Sequence, residues 1–267
     1  MDRYLLKNII IIILVLVNGF LLGSLAMRQT SALATRRNAE AHITALFEAD
    51  GITLEDGAIS RKTPLSSRAL TTDSQQQKKA AVFFLGENLL QDDQSGTSSY
   101  TGDRGVARFR SGGSFEIEGK LAVSDAEELC REFCKTFSFE PPLFLLDETG
   151  SGTATAVCRH EDLPVFNGTV TFTLNRGTLN SVSGTLLPAE STVLPEDREL
   201  LSAMAALTAF QQTRRESGAV VSAVLDMELC YELGPSAVGM TLTPAWCVVT
   251  DTSKYYVNCS SGVVTSG

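Results

Sequence analysis

The residues of this chain whose types could do chemistry are six cysteines, two histidines and a few paired carboxylates. Cys130 and Cys134 stand at i and i+4, so on a helix both thiols face the same way, as a redox pair or a two-ligand metal foothold would. Both also fall on the stripe that carries Leu129, Phe133 and Phe137. There a free cysteine behaves as a small buried hydrophobe, and a bridge within one helix constrains nothing. Cys230, Cys247 and Cys259 lie on three consecutive strand-like runs, and Cys158 on an earlier one. A cross-strand disulfide among the last three needs Cα atoms within about 7 Å, and the sequence sets no connectivity. His160 in "CRHEDLP" has Cys158, Glu161 and Asp162 close by, but a strand alternates its side chains and turns these neighbours to different faces. With His42 as the other imidazole and no Cys-x-x-Cys, no metal site is expected and no cofactor site.

Catalysis finds no better foothold. There is no G-x-S-x-G elbow, no H-E-x-x-H pair and no glycine-rich phosphate loop. Glu127-Glu128 and Glu161-Asp162 read as solvated faces and caps, so the chain is expected not to be an enzyme. Asn167-Gly168-Thr169 and Asn258-Cys259-Ser260 match the glycosylation acceptor pattern, and Asn167-Gly168 is expected as a turn between strands. Trp246, the only tryptophan, lies beside Pro244 and is either a core residue or an anchor for a partner, with the core reading preferred.

These residues need elements to place them. "VSDAEELCREFCKTF" is the clearest helix: Ser124 and Glu127 form a capping box, and Ala126, Leu129, Cys130, Phe133, Cys134 and Phe137 share a face. Another helix begins near Pro195, with Leu200, Ala203, Met204, Leu207 and Phe210 at helical spacing. "SALATRRNAEAHITALFEAD" is a third, stopped by Gly51. The stretch 66–79 is a loop or a frayed helix leading into "AAVFFLG". "GVARFRSGGSFEIEG" is a β-hairpin, and the runs around 143–187 and 219–266 read as strands. Helix followed by three strands thus occurs twice. The expected fold is α+β, with helix-plus-antiparallel-sheet lobes in repeat behind an N-terminal transmembrane helix.

That transmembrane expectation rests on Ile9 to Met27, an uncharged run between Lys7 and Arg28. As a helix it measures about 28 Å, close to the hydrocarbon thickness of a bilayer. A cleaved signal peptide ending near Ser24-Leu25-Ala26 is the alternative, and the length favours a retained anchor. Arg28, Arg36 and Arg37 then lie outside, against the usual charge bias, but large domains translocate largely regardless. The expected division is a cytoplasmic tail 1–8, a membrane span 9–27 in contact with the lipid bilayer, a stalk helix and first α+β portion 28–122, and lobes 123–190 and 191–267. The N-terminus is placed in the cytoplasm and the C-terminal domain outside the cell. The net charge of −9, with no Lys/Arg cluster, sets nucleic acid aside.

Taken in order, "MDRYLLKNIIIIILVLVNGFLL", "GVARFRSGGSFEIEG", "LPVFNGTVTFTLNRGTLNSVSGTLL" and "LTPAWCVVTDTSKYYVNCSSGVV" resemble the YycI-like two-component regulatory proteins of Gram-positive bacteria. Pro244-Ala245-Trp246 followed by Tyr256-Val257-Asn258 and a glycine is the strongest piece, and it also suits related PepSY-like folds. The resemblance implies a single-pass membrane protein whose extracytoplasmic part, with a sister YycH-like regulator, binds and modulates a sensor histidine kinase of cell-wall homeostasis. The six cysteines depart from that pattern. Within the span Asn18, Gly19, Gly23 and Ser24 are the small or polar residues able to meet a kinase helix, Asn18 first because an unpaired amide is costly in hydrocarbon. The alternative is an exported PepSY-like binding or inhibitor module acting on an envelope peptidase or ligand.

Overall fold

Alternation with a period of two runs through most of the chain, and in the computed structural model it becomes sheet. The structure describes Leu14, Val17, Asn18, Phe20, and residues 37–71, 73–94, 96–122, 125–195, 199–236 and 239–267. One mixed sheet of fifteen strands organises them. Its path runs β11 (Ser191–Val193), β2 (Arg68–Leu70), β13 (Gly239–Thr250), β12 (Ala223–Ser236), β9 (Leu163–Asn175), β10 (Thr178–Thr185), β6 (Ser114–Ala122), β5 (Gly105–Arg110), β4 (Thr97–Gly102) and β3 (Leu90–Gln94). β8 (Gly152–His160) and β7 (Leu143–Leu146) branch from β9, β14 (Lys254–Asn258) and β15 (Val264–Ser266) from β13, and β1 (Thr53–Leu54) from β12.

Two large cores form on this sheet, with a small third cluster of Cys230, Ala245 and Cys247 beside Phe166 and Tyr256. The first lies under α2 (Ser74–Leu85) and α3 (Ala126–Thr136), where Phe84, Cys130, Phe133 and Cys134 meet Phe115, Ile117, Phe172 and Val182. Asp73 caps α2, its Oδ1 accepting from the N–H groups of Gln75 at 2.9 Å and Gln76 at 3.2 Å. The stretch 66–79, expected as a loop or frayed helix, therefore supplies strand β2 and the first half of helix α2, whose apolar end, Ala80 to Leu85, is inside. At α3 the partner Ser124 of the expected capping box lies outside the described residues. Asp125 stands at the cap in a left-handed conformation and makes no side-chain cap bond.

The second core gathers Phe47 and Ile52 around helix α1 (37–49), Leu207 and Phe210 from α4 (Ala203–Ser217), and Met227, Trp246 and Val257 from the sheet. Ser202 caps α4 through the N–H of Ala205. Asp50 closes α1 onto α4: its carboxylate accepts from Gln211 Nε2, from Arg214 Nη2 at 2.6 Å and from Arg215 Nε at 2.7 Å. Those contacts, the Arg215 hydrogen bond first, hold the Asp50 carboxyl below its ordinary range.

The expected architecture needs correction. The chain is mostly strand, and the two helix-covered cores share one mixed sheet where separate antiparallel lobes were expected. β9 pairs with β12 in parallel at Val165 and Tyr231, and β1 with β12 likewise at Thr53 and Ala223. No helix among the described residues is long and apolar enough to cross a membrane, and most of 9–27 lies outside them. The stretch 28–122 does not pack as one body: α1 and β1 join the second core, α2 and β4 to β6 the first.

One irregularity joins the halves. Against β8, Val157 pairs with Thr169 and Cys158 with Val165, so Phe166, Asn167 and Gly168 bulge out of β9. Asn167-Gly168 is thus a mid-strand bulge where a turn was expected. Gly168 suits the close approach there, because a Cβ would lie 3.3 Å from the side chains of Cys158 and Val165, which would have to give by a few tenths of an ångström. From this bulge Phe166 stacks on Tyr256 of β14, ring centroids 3.8 Å apart. Asn167 clamps β12, donating to the Leu233 carbonyl and accepting from its N–H, both at 2.8 Å.

Candidate functional site at the seam between the cores

The polar residues that converge in three dimensions do so beside this joint. The β8–β9 hairpin turns on Glu161 and Asp162, with His160 opposite Leu163. Both turn residues have positive φ, 47° and 66°, where such a tight turn favours asparagine and glycine. Each costs about 1–3 kcal/mol and persists only because its surroundings hold it. Glu161 Oε2 meets Arg68 Nη2 of β2 at 2.7 Å, and the Arg159 guanidinium donates to the Asp162 carbonyl.

Arg68 is the hub. Its Nη1 donates to Ser191 Oγ of β11 at 3.1 Å, and Ser191 Oγ lies 3.1 Å from His160 Nε2. The buried Arg68 Nε and the buried Tyr231 hydroxyl have no hydrogen-bond partner of good geometry, although the guanidinium and phenol are neighbours. Burial raises the Tyr231 phenol, and Arg68 opposes that rise. His160 sits edge-on to Tyr231 at 6.0 Å, and its pKa is lowered, first by burial and further by Arg68, with Glu161 pulling the other way. His160 Nε2 and Ser191 Oγ share one hydrogen bond whose direction follows the histidine tautomer, while Arg68 Nη1 donates to the same oxygen. Alongside runs a groove of about 600 Å³ bordered by Gln76, Ser138, Arg159 and Glu190.

A serine against a neutral imidazole is the opening of a nucleophile–base pair. Here Arg68 also binds the same oxygen, and the pair sits where β2, β11 and the β8–β9 turn meet. The arrangement ties together three segments from distant parts of the chain. Among the described residues no cluster of His, Cys, Asp and Glu is arranged to hold a metal.

The residues expected to matter lie elsewhere. Trp246 is fully buried, its Nε1 donating to the Leu201 carbonyl at 2.8 Å, so it is out of a partner's reach. Asn18 is helical and exposed; Gly19 and Gly23 lie outside the described residues. His42 is exposed on α1, and Glu127 and Glu128 both pair with Arg131 on the solvated side of α3. The sequon amide of Asn258 donates to Glu232 at 2.6 Å and its oxygen accepts from the N–H groups of Ser260 and Ser261.

All six cysteines are free and buried. Burial pushes Cys130 and Cys134 up to about 12 and Cys247 to about 11, and raises Cys158 and Cys230 as well. A thiol titration of the unreduced protein is therefore expected to give six equivalents after denaturation and almost none in the native state. Four equivalents after denaturation would reveal a disulfide.

Arg68, Ser191 and Tyr231 escaped the sequence reading. The one local sign was a two-residue strand connection, Glu161-Asp162, that lacks glycine and asparagine. No family model matches the chain, and no curated protein matches it either. Among solved structures it is similar to an uncharacterized protein from Eubacterium rectale ATCC 33656, at 11% identity and a TM-score of 0.45, over 80% of this chain and 89% of that one.

Proposed function

We propose that the chain is a non-catalytic regulator, held at the cell membrane through the apolar run 9–27 with the rest outside the cytoplasm. There it binds a sensor histidine kinase of a cell-wall two-component system, alongside a sister YycH-like protein. The resemblance of its segments suggests the partner. The observation that supports a regulator is the seam, where the side chains able to ionise or attack engage one another and hold two separately packed cores together. Such a body offers a partner shape and a joint, and modulation requires only unequal affinity for two states of that partner.

Co-purification tests this reading. Tagged full chain extracted in detergent is expected to bring the kinase with it. Asn18→Leu should weaken recovery by about 1 kcal/mol, roughly fivefold, and replacement of 9–27 by an unrelated apolar run should weaken it further. Unchanged recovery after both that swap and deletion of 37–267 would remove the proposal. The open edge of β7 favours a second reading, an exported module that inhibits an envelope peptidase. That function would survive any substitute anchor.

A further inference from the structure

We infer that β7 is a docking edge for an extended segment of another protein, one of alternating apolar residues flanked at both ends by lysine or arginine. Among the described residues β7 pairs with β8 alone, and no described strand lies along its other side. Leu143 and Leu145 point outward at 64% and 66% exposure, and β7 itself carries no charge, proline or bulge. Pro141-Pro142 blunt only its start, and edges of this kind are normally blunted along their length. The far edge of the same sheet shows how: β3 is fully exposed and carries Asp92 and Asp93. On the open face the register continues Leu143 into Thr155, Thr171 and Ser183, so an added strand would extend an ordered ladder of side chains.

The charges around β7 decide what can occupy it. Glu140, 3.5 Å from the Arg159 guanidinium, precedes the strand, and Asp147 and Glu148 follow it. Arg131, paired with Glu127 and Glu128, lies 5.0 Å over the Phe144 ring, so carboxylates outnumber cations around the edge. Hydrogen bonds from Thr149 first, then from the backbone of Ser151 and Thr149, hold the Asp147 carboxyl below its ordinary range, so it is charged near neutral pH. A second copy pairing antiparallel about a two-fold axis, with Leu143 opposite its partner's Leu145, would set Glu148 opposite Glu140 at each end. Like charges directly opposite destabilise a strand pair. Four residues also span only about 14 Å, and a strand pair that short buries far less than the roughly 800 Å² per partner of a stable dimer. A foreign strand with basic flanks turns the same carboxylates into attraction, and its main chain supplies the hydrogen bonds that strand addition uses.

The inference does not depend on the kinase, so its test contains none. The probe is a fluorescent nine-residue peptide of three valines alternating with two threonines between two lysines at each end, titrated into the full chain in detergent. Saturable binding is expected. Exchanging the lysines for glutamates, or N-methylating the central valine, should each weaken binding about tenfold or more. Leu143→Lys with Leu145→Lys, both on exposed positions, should weaken it as much while leaving the unfolding midpoint in place. Absence of binding, equal binding of the glutamate or N-methyl peptide, or indifference to the double substitution would each overturn the inference. So would sedimentation showing a dimer that the double substitution dissolves, since the edge would then belong to a second copy.

Discussion

Phe133→Ala is expected to lower the stability of the chain by about 3–5 kcal/mol, a large share of what a domain possesses. Phe133 is fully buried, and its ring lies 4.6 Å from that of Phe137, 4.9 Å from Phe84, 5.6 Å from Phe83 and 5.8 Å from Phe172, centroid to centroid. It is the ring that α3 sets between α2 and the sheet. No neighbour is free to fill the hole, because each is fixed by its own packing. Urea unfolding followed by circular dichroism gives the loss directly. Phe133→Leu, which keeps most of the volume, should cost about half as much, and a loss below about 1 kcal/mol for alanine would show that the cluster relaxes.

Trp246→Ala is expected to cost a similar 3–5 kcal/mol in the other core. The indole is 0% exposed and its N–H satisfies the Leu201 carbonyl at 2.8 Å. Trp246→Phe separates the two contributions: it keeps the apolar burial and leaves that carbonyl unpaired, a cost of about 1–3 kcal/mol. Phe133 and Trp246 lie in different cores, so a chain carrying both alanines should lose the sum to within about 0.5 kcal/mol. Trp246 is the only tryptophan, so its fluorescence reports on the second core alone. In Phe133→Ala, a fluorescence midpoint that falls together with the circular dichroism midpoint would show that the seam makes the two cores unfold as one. A fluorescence midpoint left behind at the wild-type value would show that it does not.

What the sequence shows of this fold follows the range of each signal. Helical spacing over Cys130, Phe133 and Cys134 and over Leu207 and Phe210 is local. α3 stands where that spacing puts it, whereas α4 begins at Ala203, later than the expected start near Pro195 and with Leu200 outside it. The hairpin through Ser111-Gly112-Gly113 is local too, and it forms β5 and β6. α2 was hidden because its glutamine-rich first turns carry little apolar pattern, although Asp73 marked its start. The joining of the halves was out of sight for a deeper reason. Val165 meets Tyr231 through a parallel pairing between distant strands, and the bulge that permits it contains Asn167-Gly168, a dipeptide that locally spells a turn. The candidate site divides in the same way. His160, Glu161 and Asp162 are visible together in one short stretch. Arg68, Ser191 and Tyr231 come from three remote ones, and only the folded sheet brings them beside the turn.

The closure of α1 onto α4 by Asp50 gives the body a polar rivet at its amino-terminal side. A pull or twist entering along α1 reaches the second core through the Phe47 ring stacked on Phe210 and through one carboxylate shared between two guanidinium groups and a buried amide. Because the Asp50 carboxyl is depressed below its ordinary value, the rivet is fully set above that ordinary range and slackens only as acid titrates it through the lower, folded value. Between those limits the load passes into α4 and the strands packed against it.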